Sequence, residues 1–425
     1  MQKSNLEHLE LDVFEETLEN GFRLFVVPME KSNGIYATYT TNYGSMIEEF
    51  LPVGKEEFVK VPAGIAHFLE HKLFEQETGE DPFTFYGKTG SDCNANTSNY
   101  KTTYLFSGPN CLKENLSYLL KFVGEPYFTE ESVEKEKGII EQEIEMNADN
   151  PDWVGMDSIL KNAFQKNPIR IPIPGTKESI QKITKEDLFL CYQTFYQPSN
   201  MFCVVTGNVD PEEVLETVRS YPFTKEKKPL PVVQTYEEPD EVGTEFEQIK
   251  LNVTIPKVLF AYKFRIADTG VSRTLAYNYI SLLANLKFGP ISEFVEQMKE
   301  EKILTYPMDY DLVYTDQHIL LIFFGETKEP EQLIEKIKEE MKKDDVLKKD
   351  FDRKKKTLLS SCIYMTDDIY RVNHKIINDL ILEGKVNTQV YSMFRDFSFS
   401  TFEQIKNQIS YQHTTTFVIL PKEEK

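Results

Sequence analysis

Three side chains able to bind a metal or activate a water stand within five residues: His67, Glu70 and His71, in the order H-x-x-E-H. On a helix, residues four apart lie about one turn apart on the same face, so both imidazoles project together. That spacing suits two ligands of a tetrahedral zinc. Glu70 falls on the same side as a candidate general base for a water held there. The chain has only six histidines in 425 residues. Ile65, Phe68, Leu69, Leu73 and Phe74 supply the apolar positions of a buried helix. Two imidazoles and a carboxylate on such a helix are costly unless something satisfies them, so inert packing leaves the motif unexplained.

A catalytic zinc needs at least one more protein ligand and an open position for water. The remaining histidines, His8, His318, His374 and His413, and many carboxylates are free for that role. The segment 130–147 reads as a helix, with Thr129 as N-cap and Glu130 and Glu131 in the first turn. Val133, Ile140 and Ile144 mark one face, and Glu136 and Glu143, seven apart, lie near the same side. Spacing alone does not choose among Glu136, Glu141, Glu143 and Glu145.

The motif and its surroundings resemble the pitrilysin/insulinase family of zinc peptidases. In that family H-x-x-E-H is followed about 70 to 80 residues later by a helix of the form E-(K/R)-x-x-x-x-x-E, matched here by Glu136-Lys137 through Glu143. The resemblance implies Zn2+ held by His67, His71 and Glu143, with Glu136 as an acid beside the ligands and Glu70 as the catalytic base. Asn94-Ala95-Asn96-Thr97 and Thr103-Tyr104 resemble the family's N-A-x-T…T-x-Y edge strand, with a one-residue shift at the threonine. There the strand takes up substrate backbone by β-addition, which implies substrate-binding roles for Asn94 and Ala95.

Family members also carry an arginine and a tyrosine, seven apart, in the second half to bind substrate and the tetrahedral intermediate. Tyr306 is in place, but Lys299 stands where the arginine is expected. Lysine keeps the charge and loses the bidentate fork. The resemblance implies a zinc endopeptidase acting on short or unfolded peptides in an enclosed chamber. The half-size length looks like that of the short bacterial members that pair two chains, either a homodimer or a heterodimer with a related chain. The departure at Lys299 leaves two readings: a partner that supplies the proper pair, which is favoured, or ordinary core packing for Tyr306. Two readings compete with this one: a non-catalytic or partner-dependent subunit of a peptidase-like heterodimer, and an isolated zinc-binding module without peptide-bond cleavage.

The elements that must position these residues follow from length and pattern. A chain of 425 residues is too long for one ordinary core and suggests two domains. A Pro- and charge-rich stretch, 222–245, reads as a linker between an N-terminal zinc-binding domain, 1–221, and a C-terminal domain, 246–425. The halves resemble each other. His67 through Phe74 aligns with Ser281-Leu282-Leu283-Ala284-Asn285-Leu286-Lys287-Phe288, and Tyr196-Gln197…Phe202 aligns with Tyr411-Gln412…Phe417, at nearly the same offset. The second copy keeps the apolar positions and loses the metal-type residues, so packing does not require His67, Glu70 and His71. Strand-like runs (23–27, 36–43, 102–107, 201–206, 258–262, 319–324) alternate loosely with helical patterns (63–74, 112–123, 130–147, 276–287, 330–342), with a possible hairpin at 36–46. The expected fold is α+β: two homologous domains, each a mostly antiparallel sheet with helices packed on one face.

Composition bounds the rest. The formal charge of −21, from 48 basic and 69 acidic residues, disfavours a nucleic-acid binder. The polar N-terminus and the lack of a long uncharged apolar run point to neither a secretory signal nor a membrane span. Five scattered cysteines without a C-x-x-C pair fit a reducing compartment, so the expected location is cytoplasmic.

Overall fold

The computed structural model describes residues 1–422. They form two compact units, each assembled from three stretches of chain. The first takes residues 1–144, 172–235 and 359–394; the second takes 145–171, 236–358 and 395 onward.

In chain order the first unit supplies β1 (Gln2–Leu6), β2 (Leu11–Thr17), β3 (Arg23–Pro28), β4 (Ile35–Thr41), β5 (Glu49–Leu51) and β6 (Val59–Lys60). It continues with β7 (Asp92–Thr97), β8 (Thr102–Gly108), β9 (Met201–Gly207) and β10 (Val232–Val233). The main sheet runs β1-β2-β3-β9-β4-β8-β7, and β5, β6 and β10 form a small separate sheet. β3 pairs with β9 in parallel and the other neighbours in the main sheet are antiparallel. Every residue of the central strands β4 and β9 is buried, as their β-branched and aromatic runs require. The hairpin read at 36–46 does not form; β4 pairs with β8 and β9 instead.

The second unit supplies β11 (Phe246–Leu251), β12 (Lys257–Arg265), β13 (Asp309–Tyr314), β14 (His318–Glu326) and β15 (Thr414–Pro421), in the order β11-β15-β12-β14-β13. β11 and β15 are parallel and the rest antiparallel. Pair for pair, this is the β3-β9-β4-β8-β7 part of the first sheet. The two sequence matches fall on equivalent elements: β9 with β15, and helix Ile65–Leu73 with helix Arg273–Phe288. The molecule is thus α+β and built twice on one plan.

Alternation along β3 shows how the first sheet is covered. Leu24 and Val26 join the core beneath helices 65–73, 112–124 and 185–195, whereas Phe25 and Val27 face the other way. That second face is covered by helix Ile369–Glu383, through Val372, Ile376, Ile377 and Leu380. Its Asn373 is fully buried, donates to the Val204 carbonyl at 3.0 Å and accepts from the Thr38 hydroxyl at 2.9 Å. Helix Pro151–Ala163 does the same in the second unit, packing on β15, β12 and β11. Each unit therefore draws one covering helix from the other half of the sequence, and both helices lie on equivalent strands.

The compact units accordingly differ from the sequence-based bounds of 1–221 and 246–425. Central strands apolar on both faces need a second cover, and the chain supplies it by exchange. The stretch 222–245 is also more than a connector. β10 pairs with β5, and Glu238 is buried. Its carboxylate accepts the backbone N–H groups of Gln165, Lys166 and Asn167, each at 2.8 Å, and pairs with Lys263 Nζ at 2.9 Å. Proline and charge made that stretch read as loop, whereas its key charge is consumed in the interior. Among the described residues, no helix is long and apolar enough to cross a membrane.

Candidate metal centre and active site

Helix Ile65–Leu73 belongs to the first unit and packs against β7, β8 and helix 185–195. Ile65, Ala66, Phe68, Leu69 and Leu73 enter the core, which leaves His67, Glu70 and His71 on the remaining face. The helix begins at Gly64, whose φ of 89° is left-handed. A Cβ there would lie 2.4 Å from the Pro174 carbonyl oxygen, so only glycine lets this loop approach. Ser179 Oγ donates to the Ala63 carbonyl at 2.8 Å and fastens the same junction.

Helix Glu130–Ala148 brings the carboxylates. Thr129 caps it: its hydroxyl accepts from Ser132 N at 3.1 Å, and Ser132 Oγ accepts from Thr129 N at 3.3 Å. Val133 and Ile140 are buried in the first unit's core, and Ile144 packs against it. Lys137 Nζ donates to the Gln181 carbonyl at 3.1 Å, and Gln181 Nε2 donates to Glu141 Oε1 at 2.5 Å. With the helix fixed along this face, Glu136 and Glu143 point at the histidines, and Glu141 is turned to Gln181.

Ligand-type atoms of His67, His71 and Glu143 lie within 4.8 Å of one another. Glu143 Oε1 is 3.7 Å from His67 Nε2, and its Oε2 is 3.6 Å from His71 Nε2. The imidazoles stand edge to face with centroids 4.5 Å apart. Glu136 Oε1 lies 2.9 Å from His71 Nδ1, on the ring nitrogen turned away from Glu143. A carboxylate on the distal nitrogen fixes tautomer and ring orientation, and Glu136 stands at that nitrogen, outside the group formed by His67, His71 and Glu143. Glu70 is 8 % exposed, and its Oε2 accepts a 2.5 Å hydrogen bond from the Thr97 hydroxyl at the end of β7.

Electrostatics distinguish these groups. Burial, with His71 beside it, pushes the His67 pKa down to about 3, so its ring is neutral and able to ligate. Burial pulls the His71 pKa down too, but the Glu136 hydrogen bond and charge, with Glu70 and Glu143, outweigh it and leave that value raised. Burial raises the Glu70 pKa against the opposing pull of Thr97 and His71. Three carboxylates thus surround two imidazoles. The buried His67 Nδ1 has no hydrogen-bond partner. Two imidazole nitrogens and a carboxylate oxygen, with further carboxylates beside them, fit a divalent metal of zinc type.

Asn94 and Ala95 lie on β7, the edge strand of the main sheet. Asn94 is exposed, and its Oδ1 accepts from Ala95 N at 2.8 Å. The first unit therefore gathers His67, Glu70, His71, Glu136, Glu143, Asn94 and Ala95. Lys299 and Tyr306 belong to the second unit. Lys299 Nζ pairs with Glu296 at 3.1 Å, and Tyr306 is 60 % exposed, so it is no core residue. The contact between Glu70 and Thr97 is the feature sequence reasoning missed. Thr97 was visible only as the shifted threonine of the edge-strand motif, and no spacing rule joins it to Glu70.

Comparison with known proteins agrees with this geometry. Residues 58–177 match the family described as insulinase (peptidase family M16), and residues 182–358 match the peptidase M16 inactive domain. The chain is 41% identical over 337 residues to the uncharacterized zinc protease YmfH of Bacillus subtilis, covering 78% of each. It superposes on an M16-like peptidase chain of Alicyclobacillus acidocaldarius with a TM-score of 0.91 at 27% identity, covering 98% of this chain and 99% of that one. The periplasmic protease PqqL of Escherichia coli shares the fold at a TM-score of 0.72 and 16% identity; the match covers 97% of this chain and 48% of that one. With its motif, its duplicated plan and these similarities, the chain is a member of the insulinase (M16) family of peptidases.

Proposed function

We propose that this chain is a zinc-dependent endopeptidase. The observation that carries the reading is the convergence of His67, His71 and Glu143 within 4.8 Å, with Glu70 on the same helix face. His67 and His71 would hold the metal through Nε2 and Glu143 through its carboxylate, and the zinc protease relatives support zinc as that metal. When bound, zinc supplies Lewis acidity toward a carbonyl oxygen and acidifies a water at the site.

The chain's own groups do the rest. Glu70 takes the water proton and passes it to the leaving amine, and the rise in its pKa on burial strengthens it as the base in the first of these steps. Glu136 holds the His71 ring in register. The free edge of β7 at Asn94 and Ala95 takes up an extended peptide by backbone pairing, which favours short or unfolded substrates. Tyr306 and Lys299 are proposed to meet substrate in the assembled enzyme.

The partner is a second chain, identical or related. Lysine in place of the arginine supports a shared site, and so does the doubled length of PqqL. Five unpaired cysteines support a reducing, cytoplasmic setting.

The test incubates wild-type and Glu70→Gln protein with a quenched peptide library, with and without chelator and with candidate companion chains. Wild-type cleavage that chelator and Glu70→Gln both abolish is the expected result. Full activity of zinc-loaded Glu70→Gln overturns the mechanism. Zinc binding without cleavage under any pairing favours the non-catalytic subunit.

A further inference from the structure

We infer that Thr97 is a positioning residue for the general base: its hydroxyl fixes the Glu70 carboxylate and ties it to the substrate-binding edge strand. This rests on the reading of Glu70 as the base. Thr97 Oγ1 approaches Glu70 Oε2 to 2.5 Å. Three oxygens meet here, and counting protons sets the direction of each bond. Thr102 Oγ1 lies 3.3 Å from Thr97 Oγ1 and spends its own proton on the Tyr43 carbonyl at 2.9 Å. The Thr97 proton is then directed at Glu70 Oε2, the acceptor of the short bond.

The terminal torsion of a glutamate side chain is broad and roughly two-fold, so a carboxylate on a helix does not hold its own plane. A hydroxyl on a β-branched residue, stiff at χ1, does that at Oε2, and the backbone N–H of the same Thr97 also bonds the carboxylate. Thr97 closes β7, and its neighbour Thr102 opens β8 and is fully buried, so the clamp is anchored to the sheet and not to the motif helix. The same strand carries Asn94 and Ala95 three and two residues away. Any shift of this edge on taking up a peptide is thereby transmitted to the carboxylate. The base and the peptide-binding edge form one mechanical unit.

The experiment compares Thr97→Val, which keeps shape and removes the hydroxyl, with Thr97→Ser, which restores it, in zinc-loaded protein with its active companion chain. Zinc content is measured for each by emission spectrometry. Thr97→Val is expected to lower kcat about 10- to 100-fold with little change in KM and full zinc, and Thr97→Ser to recover most of the rate. In a Glu70→Gln background Thr97→Val is expected to have no further effect. Wild-type kcat in Thr97→Val overturns the proposal, as does a Thr97→Ser variant as slow as Thr97→Val. Loss of zinc in Thr97→Val also overturns it, since Thr97 would then serve the ligands. If Glu70→Gln itself stays active, the reading of Glu70 fails instead, so the two failures are distinguishable.

Discussion

Helix Ile65–Leu73 and helix Arg273–Phe288 are two copies of one element with opposite electrostatics. Phe68 and Leu69 correspond to Leu282 and Leu283, and all four are buried. His67, Glu70 and His71 correspond to Ser281, Ala284 and Asn285. In the second copy Asn285 Nδ2 donates to Tyr310 Oη on β13 at 2.9 Å, and Ser281 bonds the same phenol. Neutral groups satisfy one another there. The buried charges of the second unit are likewise closed on themselves: Lys263 with Glu238, and Lys287 with Asp345 at 2.9 Å and the Glu340 carbonyl at 2.8 Å. In the first unit His67, His71 and Glu143 face a common point with Glu70 and Glu136 beside them, and among the described residues no ammonium or guanidinium pairs with these groups. One scaffold can host either solution, and only the open one calls for a metal.

The sharpest way to break this comparison is to neutralise Glu70, the proposed base. Glu70→Gln is expected to reduce kcat by about 10²- to 10⁴-fold while zinc content stays intact, measured by peptide cleavage and emission spectrometry. The next effect tests the closed charges of the second unit. Glu238→Gln leaves Lys263 buried without its counter-charge and is expected to cost about 3–5 kcal/mol in urea unfolding.

That pair also has a pH signature. Burial raises the Glu238 pKa, but hydrogen bonds from three backbone N–H groups and Lys263 prevail and hold it below its ordinary 4.5. Its stabilisation is therefore complete above that value and is lost as pH falls through the depressed folded value. Glu238→Gln is expected to flatten the acid limb of stability against pH.

Stripping zinc with a chelator is expected to lower stability by about 2.7 kcal/mol when the metal had been present at 100 times its Kd, read by calorimetry. Zinc-independent unfolding would mean that the first unit's charges are balanced without it. Glu136→Gln is expected to weaken zinc affinity or activity about 10- to 100-fold through the His71 ring, measured by competition with a chromophoric chelator. The smallest change is Asn285→Ala, expected to cost about 1 kcal/mol of stability with zinc binding untouched. A loss of zinc there would show that the two copies are not independent.

Much of this was legible in the residues. Period and turn chemistry placed helix 130–148 and the run 330–342 to within a residue, because amphipathic stripes and capping side chains are local. The i, i+4 spacing put His67 and His71 on one face. The near-constant offset between halves anticipated the duplicated sheets, since the same packing problem is solved twice. The choice of Glu143 over Glu136, Glu141 and Glu145 needed family resemblance, because four glutamates on one helix differ only in what lies across from them.

Tertiary structure alone decided the remainder. Helix Ile369–Glu383, absent from the sequence reading, carries its apolar stripe at Ile369, Val372, Ile376, Ile377 and Leu380, and nothing in that pattern says which sheet it covers. Hydrophobic burial is non-directional, so a stripe specifies that it will be covered and not by whom. Glu238 reads as a linker charge in the sequence, whereas in the fold four donors from distant segments converge on it. Thr97 and Glu70, 27 residues apart, meet only because β7 lies beside the motif helix. Sequence determined the chemical groups and the faces that carry them; long-range packing decided which groups met.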